Sequence, residues 1–222
     1  MTTIGLYQIY YKPNQLIGLD PAMIPYDNSA LCRVFSELDN EREYRVFKDN
    51  YEANKHLKYD YTGFLSWKFM KKTKLTGEFF KNYIINDTHK HDVYFISPGP
   101  AVTNVWRQGD TRHKGLIQIT QPILDHLNYK INLRELWHDT SKCSFCNYWV
   151  GNTSFWNKYM KFTVPIYNYL TSSKNNMPLE HVKIYQSRAD SGINSNYFSF
   201  IMERLFTTIL AVDNTITYKK IK

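Results

Sequence analysis

The sequence predicts an α/β protein, a single domain over residues 1–222 built on a mixed sheet flanked by helices. Three observations carry this. Short runs of β-branched and aromatic residues, such as Val93-Tyr94-Phe95-Ile96, alternate with longer stretches of helical apolar period. Alternation of that kind builds a sheet covered by helices. The run at 93–96 also stops at Ser97-Pro98-Gly99-Pro100, where proline cannot continue a ladder, and a loop rich in polar residues follows.

In chain order, Ile4 to Tyr11 reads as a first strand, ended by Lys12-Pro13-Asn14. A loop through Asp20-Pro21 and Pro25-Tyr26-Asp27-Asn28 leads to a helix capped near Ser29 or Ala30. Residues 40–56 spread Tyr44, Val46, Phe47 and Tyr51 among charges, the pattern of a surface helix. Tyr59 to Lys68 reads as a strand around Gly63. Thr76 to Ile85 reads as a helix with Phe79, Phe80, Tyr83 and Ile84 as its apolar stripe. After the strand at 92–97 come a helix near 115–128, a looser region at 129–146, an extended segment at 147–151 and an aromatic-rich helix at 153–171 with Pro165 inside. Residues 172–180 form a loop, and 197–212 a strongly apolar final helix.

Composition narrows the function classes. Twenty-eight basic against twenty acidic residues give a net charge of +8. That charge suits nucleic acid, a nucleotide diphosphate or an anionic membrane face. The basic residues are spread along the chain and no nucleic-acid-binding signature occurs, so a nucleic-acid role is disfavoured. Three cysteines suit a reducing cytoplasm. The first residues lack a basic start followed by an apolar run, so no signal peptide is expected, and no apolar run reaches the ~18 residues of a membrane span. There is no HExxH, P-loop, GxGxxG or GxSxG pattern, which sets aside zincins, P-loop NTPases, dinucleotide-binding enzymes and serine hydrolases.

Several groupings could carry chemistry. Just past the prolines the chain places Asn104, Arg107, Gln108, Asp110, Arg112 and His113 within ten residues. Open α/β sheets build ligand sites at such strand ends, and the alternative is a solvated surface loop. Lys68, Lys71, Lys72 and Lys74, interleaved with Trp67, Phe69 and Met70, can neutralise a diphosphate or rest on a lipid surface; a solvated basic turn is the plainer reading. Cys143-x-x-Cys146 with His138 lacks the further ligands of a structural zinc site and reads as ordinary thiols. His89-Lys90-His91-Asp92 reads as a polar turn into the strand. Glu203-Arg204 interrupts the apolar final helix, so its carboxylate is either paired or catalytic.

The ordered phrases Gly63-Phe64-Leu65-Ser66-Trp67-Lys68-Phe69 with Lys72-Thr73, Asp92-Val93-Tyr94-Phe95 with Ser97-Pro98, Asn104 to Asp110, Asn147-Tyr148 with Phe155-Trp156, and Met202-Glu203-Arg204-Leu205 span most of the chain. As a set the chain resembles glycosyltransferase-like proteins found with bacterial polysaccharide-assembly genes. The resemblance implies a GT-A/Rossmann-like fold and transfer of a sugar from a nucleotide-sugar donor to a glycan or lipid-linked acceptor, in the cytoplasm or at the inner membrane face. Metal-dependent members of the GT-A class carry an Asp-x-Asp near a central strand end, and this chain has none. No cofactor and no divalent metal is therefore expected, and lysine or arginine would neutralise the departing diphosphate.

On that footing Tyr10, Tyr11, Ser66, Lys68, Lys72, Asn104, Arg107 and Gln108 are the candidates for donor binding. Asp110, His113 and Glu203 are the candidates for catalysis, and Asn147, Tyr148 and Trp156 for orienting the acceptor. A sugar- or nucleotide-binding accessory protein without turnover is the alternative.

Overall fold

The computed structural model describes residues 2–29, 42–172 and 197–221. The helix expected from Ser29 or Ala30 and most of the loop expected at 172–180 lie outside them. The chain divides into two compact units, Met1–Gly99 with Ser144–Lys158 and Asn214–Lys222, and Pro100–Cys143 with Tyr159–Asp213.

The first unit holds a six-stranded mixed sheet flanked by helices, so the chain is α/β. The strands are β1 (Ile4–Tyr10), β2 (Ile24–Asp27), β3 (Tyr61–Ser66), β4 (Val93–Ile96), β5 (Trp149–Asn152) and β6 (Tyr218–Ile221). Their order is β2-β1-β3-β5-β4-β6. β1 is parallel to β2 and β3, and β4 is parallel to β6, while β5 runs antiparallel to both β3 and β4. Five strands therefore end on one edge, and β5 begins there.

β3 is buried along its whole length, as a central strand covered on both faces must be. On one face Leu6, Leu65, Tyr94, Ile96, Tyr148 and Val150 pack with Phe69 and with Phe80 and Ile84 of the helix Gly77–Asn86. That helix is capped by Thr76, whose Oγ1 accepts from Phe79 N at 3.1 Å. The opposite face is an aromatic cluster: Phe47 lies 4.9 Å from Trp149, and Trp149 4.7 Å from Trp156, between ring centroids. Phe47 belongs to α1 (Arg42–Glu52), where Tyr44, Val46 and Asn50 are also buried. This helix is thus half core element, whereas its charges suggest a surface one. We label the other helices α2 (Phe69–Thr73), α3 (Gly77–Asn86), α4 (Val105–Arg112), α5 (Leu116–His126), α6 (Thr153–Ser172) and α7 (Tyr197–Val212). Pro165 sits inside the continuous helix α6.

Two strands escape sequence reading. β2 contains Pro25 and occupies a sheet edge, where a missing N–H costs little. β6, Tyr-Lys-Lys-Ile, is the opposite edge and is charged, as edges that avoid further pairing are. The polar stretch at 104–113, expected as a loop, is in its middle the helix α4. Asn104 caps it by accepting from Trp106 N and Arg107 N, both at 2.9 Å.

The second unit is helical: α4, α5, the part of α6 beyond Lys158, and α7. Its core includes Trp106, whose Nε1 donates to Thr208 Oγ1 at 2.8 Å, together with Leu116, Ile119, Phe198, Leu205 and Phe206.

Asp92 fastens β4 to the start of β6. Its Oδ2 accepts from Thr217 N and Thr217 Oγ1, each at 2.9 Å, and its Oδ1 from Asn152 Nδ2 at 3.0 Å. Burial pushes this carboxyl up, but the bonds from Thr217 and Asn152 and the charge of Lys158 outweigh it and hold it below the ordinary carboxylate range. A depressed carboxyl contributes stability that is complete above its unfolded value and is lost as pH falls through the folded one. Replacing Asp92→Asn is expected to lower stability by about 1 kcal/mol at neutral pH, a figure reduced for partial exposure, and to flatten the acid limb of denaturant midpoints measured from pH 7 to 3.

Candidate functional site

The carboxyl edge of the sheet gathers several predicted residues from separate segments. Ser66 ends β3, and its Oγ lies 3.1 Å from the hydroxyl of Tyr148, just before β5. The backbone N of Lys68 donates back to Ser66 Oγ at 3.3 Å. Lys72, exposed on α2, donates from Nζ to Cys146 Sγ at 3.1 Å and stands 6.0 Å from the Tyr148 ring centroid. Lys68 Nζ lies over the Trp67 ring at 5.1 Å. One ammonium group, two hydroxyls, a thiol and the Lys68 backbone N–H thus gather where β3 ends and β5 begins.

A buried polar network fixes this edge from below. Gln8, the only uncharged polar side chain within the apolar run of β1, is fully buried. Its Nε2 donates to Trp67 O at 3.4 Å, and its Oε1 accepts from Asp20 N at 2.6 Å. Asp20 in turn accepts from Ala22 N at 2.9 Å and Gly77 N at 2.6 Å. One side chain of β1 therefore holds both the turn after β3 and the loop that reaches the start of α3. The sequence signal for it is weak, a lone glutamine in Ile-Gly-Leu-Tyr-Gln-Ile-Tyr.

Asn147 lies between the two contacts of this edge. It is 8 % exposed, and its Oδ1 is buried with no hydrogen-bond partner among the described residues. Leaving such an oxygen unmet costs about 1–3 kcal/mol. At the end of β1, Tyr10 is partly exposed; desolvation and a hydrogen bond to Asp27 raise its phenol above the ordinary value. Tyr11 N donates to Gln15 Oε1 at 2.8 Å, which shapes the turn after β1.

Some expected roles change with the packing. Trp156 cannot serve as an open stacking platform: it is wholly buried, and its Nε1 donates to Thr62 O at 3.0 Å. Tyr148 is buried beneath Phe69, ring centroids 5.2 Å apart, so it offers the edge its hydroxyl rather than a ring face. Phe69 belongs to the core, which removes one apolar side chain from the basic stretch at 64–74.

The second unit holds the other candidates. Asn104 uses its Oδ1 as a helix cap and donates from Nδ2 to Leu133 O at 3.1 Å. Arg107 donates from Nε to Arg134 O. Asp110 Oδ1 accepts from Ile117 N at 3.0 Å and so ties α4 to the first turn of α5. His113 is buried, stacked on Phe200 with centroids 3.7 Å apart. Glu203 is half-buried, and its neighbour Arg204 is the buried charge. Arg204 donates to Val105 O at 3.0 Å, Phe200 O at 2.9 Å and Gln108 Oε1 at 3.5 Å. Burial pulls its guanidinium below the usual value, and Glu203 pulls the other way. His138, also buried, accepts from Val105 N at 3.2 Å.

Among the described residues no cluster of three His, Cys, Asp or Glu is placed to hold a metal ion, and neither Cys143 nor Cys146 forms a disulfide. No described helix is long and apolar enough to cross a membrane. Compared with protein-family models, with curated proteins and with solved structures, the chain matches none.

Two outcomes follow from these placements. A Cβ on Gly109 would stand 2.3 Å from Arg204 Nε, so Gly109→Ala should displace the guanidinium and cost about 1–3 kcal/mol, read from urea midpoints. Cys143 is buried and Cys146 partly exposed, so brief iodoacetamide treatment of the folded protein should carboxamidomethylate Cys146 well before Cys143, as mapped by peptide mass.

Proposed function

We propose that this chain is a glycosyltransferase that binds a nucleotide-sugar donor at the carboxyl edge of its sheet and passes the sugar to a glycan or lipid-linked acceptor. The observation that carries the reading is the Ser66–Tyr148 hydroxyl pair at the strand end, met by the backbone N–H of Lys68 and flanked by the Lys72 ammonium on Cys146. A departing nucleoside diphosphate needs cations and hydroxyl donors held in place before the bond breaks. Parallel strands ending together supply a cleft of the kind α/β proteins use for nucleotides. With no Asp-x-Asp in the sequence, the two ammonium groups take the charge-neutralising role. Tyr10 and Tyr11, at the end of β1, would take the base. The working place of such an enzyme would be the cytoplasm or the inner face of a membrane.

A second reading, a nucleotide- or sugar-binding accessory protein without turnover, has its own support. Asp110 is engaged in joining two helices and His113 in a ring stack, so neither is held as a poised general base.

The test is thermal stability against UDP, GDP, CMP and dTDP, each with and without Mg²⁺ or Mn²⁺. A ligand that binds only the folded state adds about 2.7 kcal/mol at a hundredfold excess over its dissociation constant. One nucleotide should raise the midpoint without metal, and Lys72→Ala should remove most of that rise. A rise that needs metal would overturn the lysine assignment. No rise with any nucleotide would overturn the transferase reading. Binding without sugar transfer to any acceptor would select the accessory reading.

A further inference from the structure

Asn147 is a buried side chain of the carboxyl edge whose Oδ1 is left unmet among the described residues. Native proteins rarely bury a carbonyl oxygen in this way, and those that do keep it for water, an ion or a ligand. Its place is well defined. β5 pairs with β3 through Tyr61↔Asn152 and Thr62↔Gly151, and Asn147 lies in the bend just before β5. The residue before it meets the Lys72 ammonium, and the residue after it meets Ser66.

We propose that Asn147 recognises the sugar moiety of the donor, its Oδ1 accepting a hydrogen bond from a sugar hydroxyl. The inference rests on the nucleotide-sugar reading above. The order of strands along the edge supports it. β1, β3 and β5 are successive neighbours, spaced by about 4.8 Å. A donor laid across them puts its base by Tyr10 and Tyr11 of β1, its diphosphate by Lys68 and Lys72 after β3, and its sugar by Asn147 before β5. The chemistry fits as well. A carboxamide offers one acceptor and two donors, and a sugar hydroxyl both donates and accepts. A diphosphate, which only accepts, has no use for the buried Oδ1. The assignment moves Asn147 from the acceptor to the donor.

Isothermal titration of the full chain with UDP, GDP and dTDP, and then with UDP-glucose, GDP-mannose and dTDP-glucose, separates the outcomes. In the wild type the attached sugar should tighten binding about tenfold over the matching diphosphate. Asn147→Ala should erase that increment and leave diphosphate affinity within about twofold. The ligand-free melting temperature should not fall, since an unmet oxygen is being removed. Asn147→Leu, similar in shape and without a polar atom, serves as a second variant and should also lose the increment. An increment unchanged in both variants would overturn the role of Asn147 and leave the donor reading standing. A lower melting temperature for both variants would mark Asn147 as a structural group and overturn it too. If the wild type binds no nucleotide and no nucleotide sugar, the donor reading falls and the inference falls with it.

Discussion

The arrangement of the carboxyl edge depends on one close approach, that of β5 to β3 at Gly63. A Cβ at Gly63 would stand 2.6 Å from Trp149 O and 2.8 Å from Val150 Cγ2, so the strand can seat here only against a residue without a side chain. The direction of β5 follows the same need. Because it runs against its neighbours, it starts where they end, and its first residues are delivered to the edge where Ser66, Lys68 and Lys72 already lie. A parallel strand in that place would deliver its end instead, and Cys146, Asn147 and Tyr148 would sit on the far side of the sheet.

Polar groups inside the first unit then do the finer positioning. Gln8 and Asp20 exchange bonds with Trp67, Ala22 and Gly77 in a setting sealed from water, where a lost partner is costly. Such a network has few alternative arrangements, so the turn that presents Lys68 and the start of α3 are set together. The second unit uses a buried cation for the same purpose. Arg204 bonds the backbone of α4 and of its own helix, with Gly109 leaving space for the guanidinium. It holds α4 against α7 by hydrogen bonds where a hydrocarbon side chain would offer only contact.

Most of the elements are legible in the sequence because their signals are local. β1, β3, β4 and the final helix fall within a few residues of where their runs of apolar residues predict, and Thr76 announces α3 as a cap. β2 and β6 are not legible, because an edge strand needs only backbone partners and carries no apolar signature. The helix at 105–112 is missed for a related reason. Its polar residues suggest a binding loop, but Asn104 and Asp110 spend their side chains on the ends of α4 and α5. The site is legible only as a set of residue types. Ser66 and Lys72, expected at the donor, and Tyr148, expected at the acceptor, stand near one another at one edge, while Trp156 is expected to show a face that the core consumes.

The sequence by itself determined the class of the protein, since alternating strand and helix periods, a Pro-Gly-Pro stop and well-spaced apolar runs allow few other solutions. It also determined which side chains have the chemistry to meet a phosphate or a hydroxyl. Only the tertiary structure decided which of them stand together and which are used up. Pairing between β3 and β5 joins residues more than eighty positions apart, and no local preference encodes that register. Burial decides the remainder: a tryptophan or an asparagine is core or site according to what covers it, and that is a property of the packed chain alone.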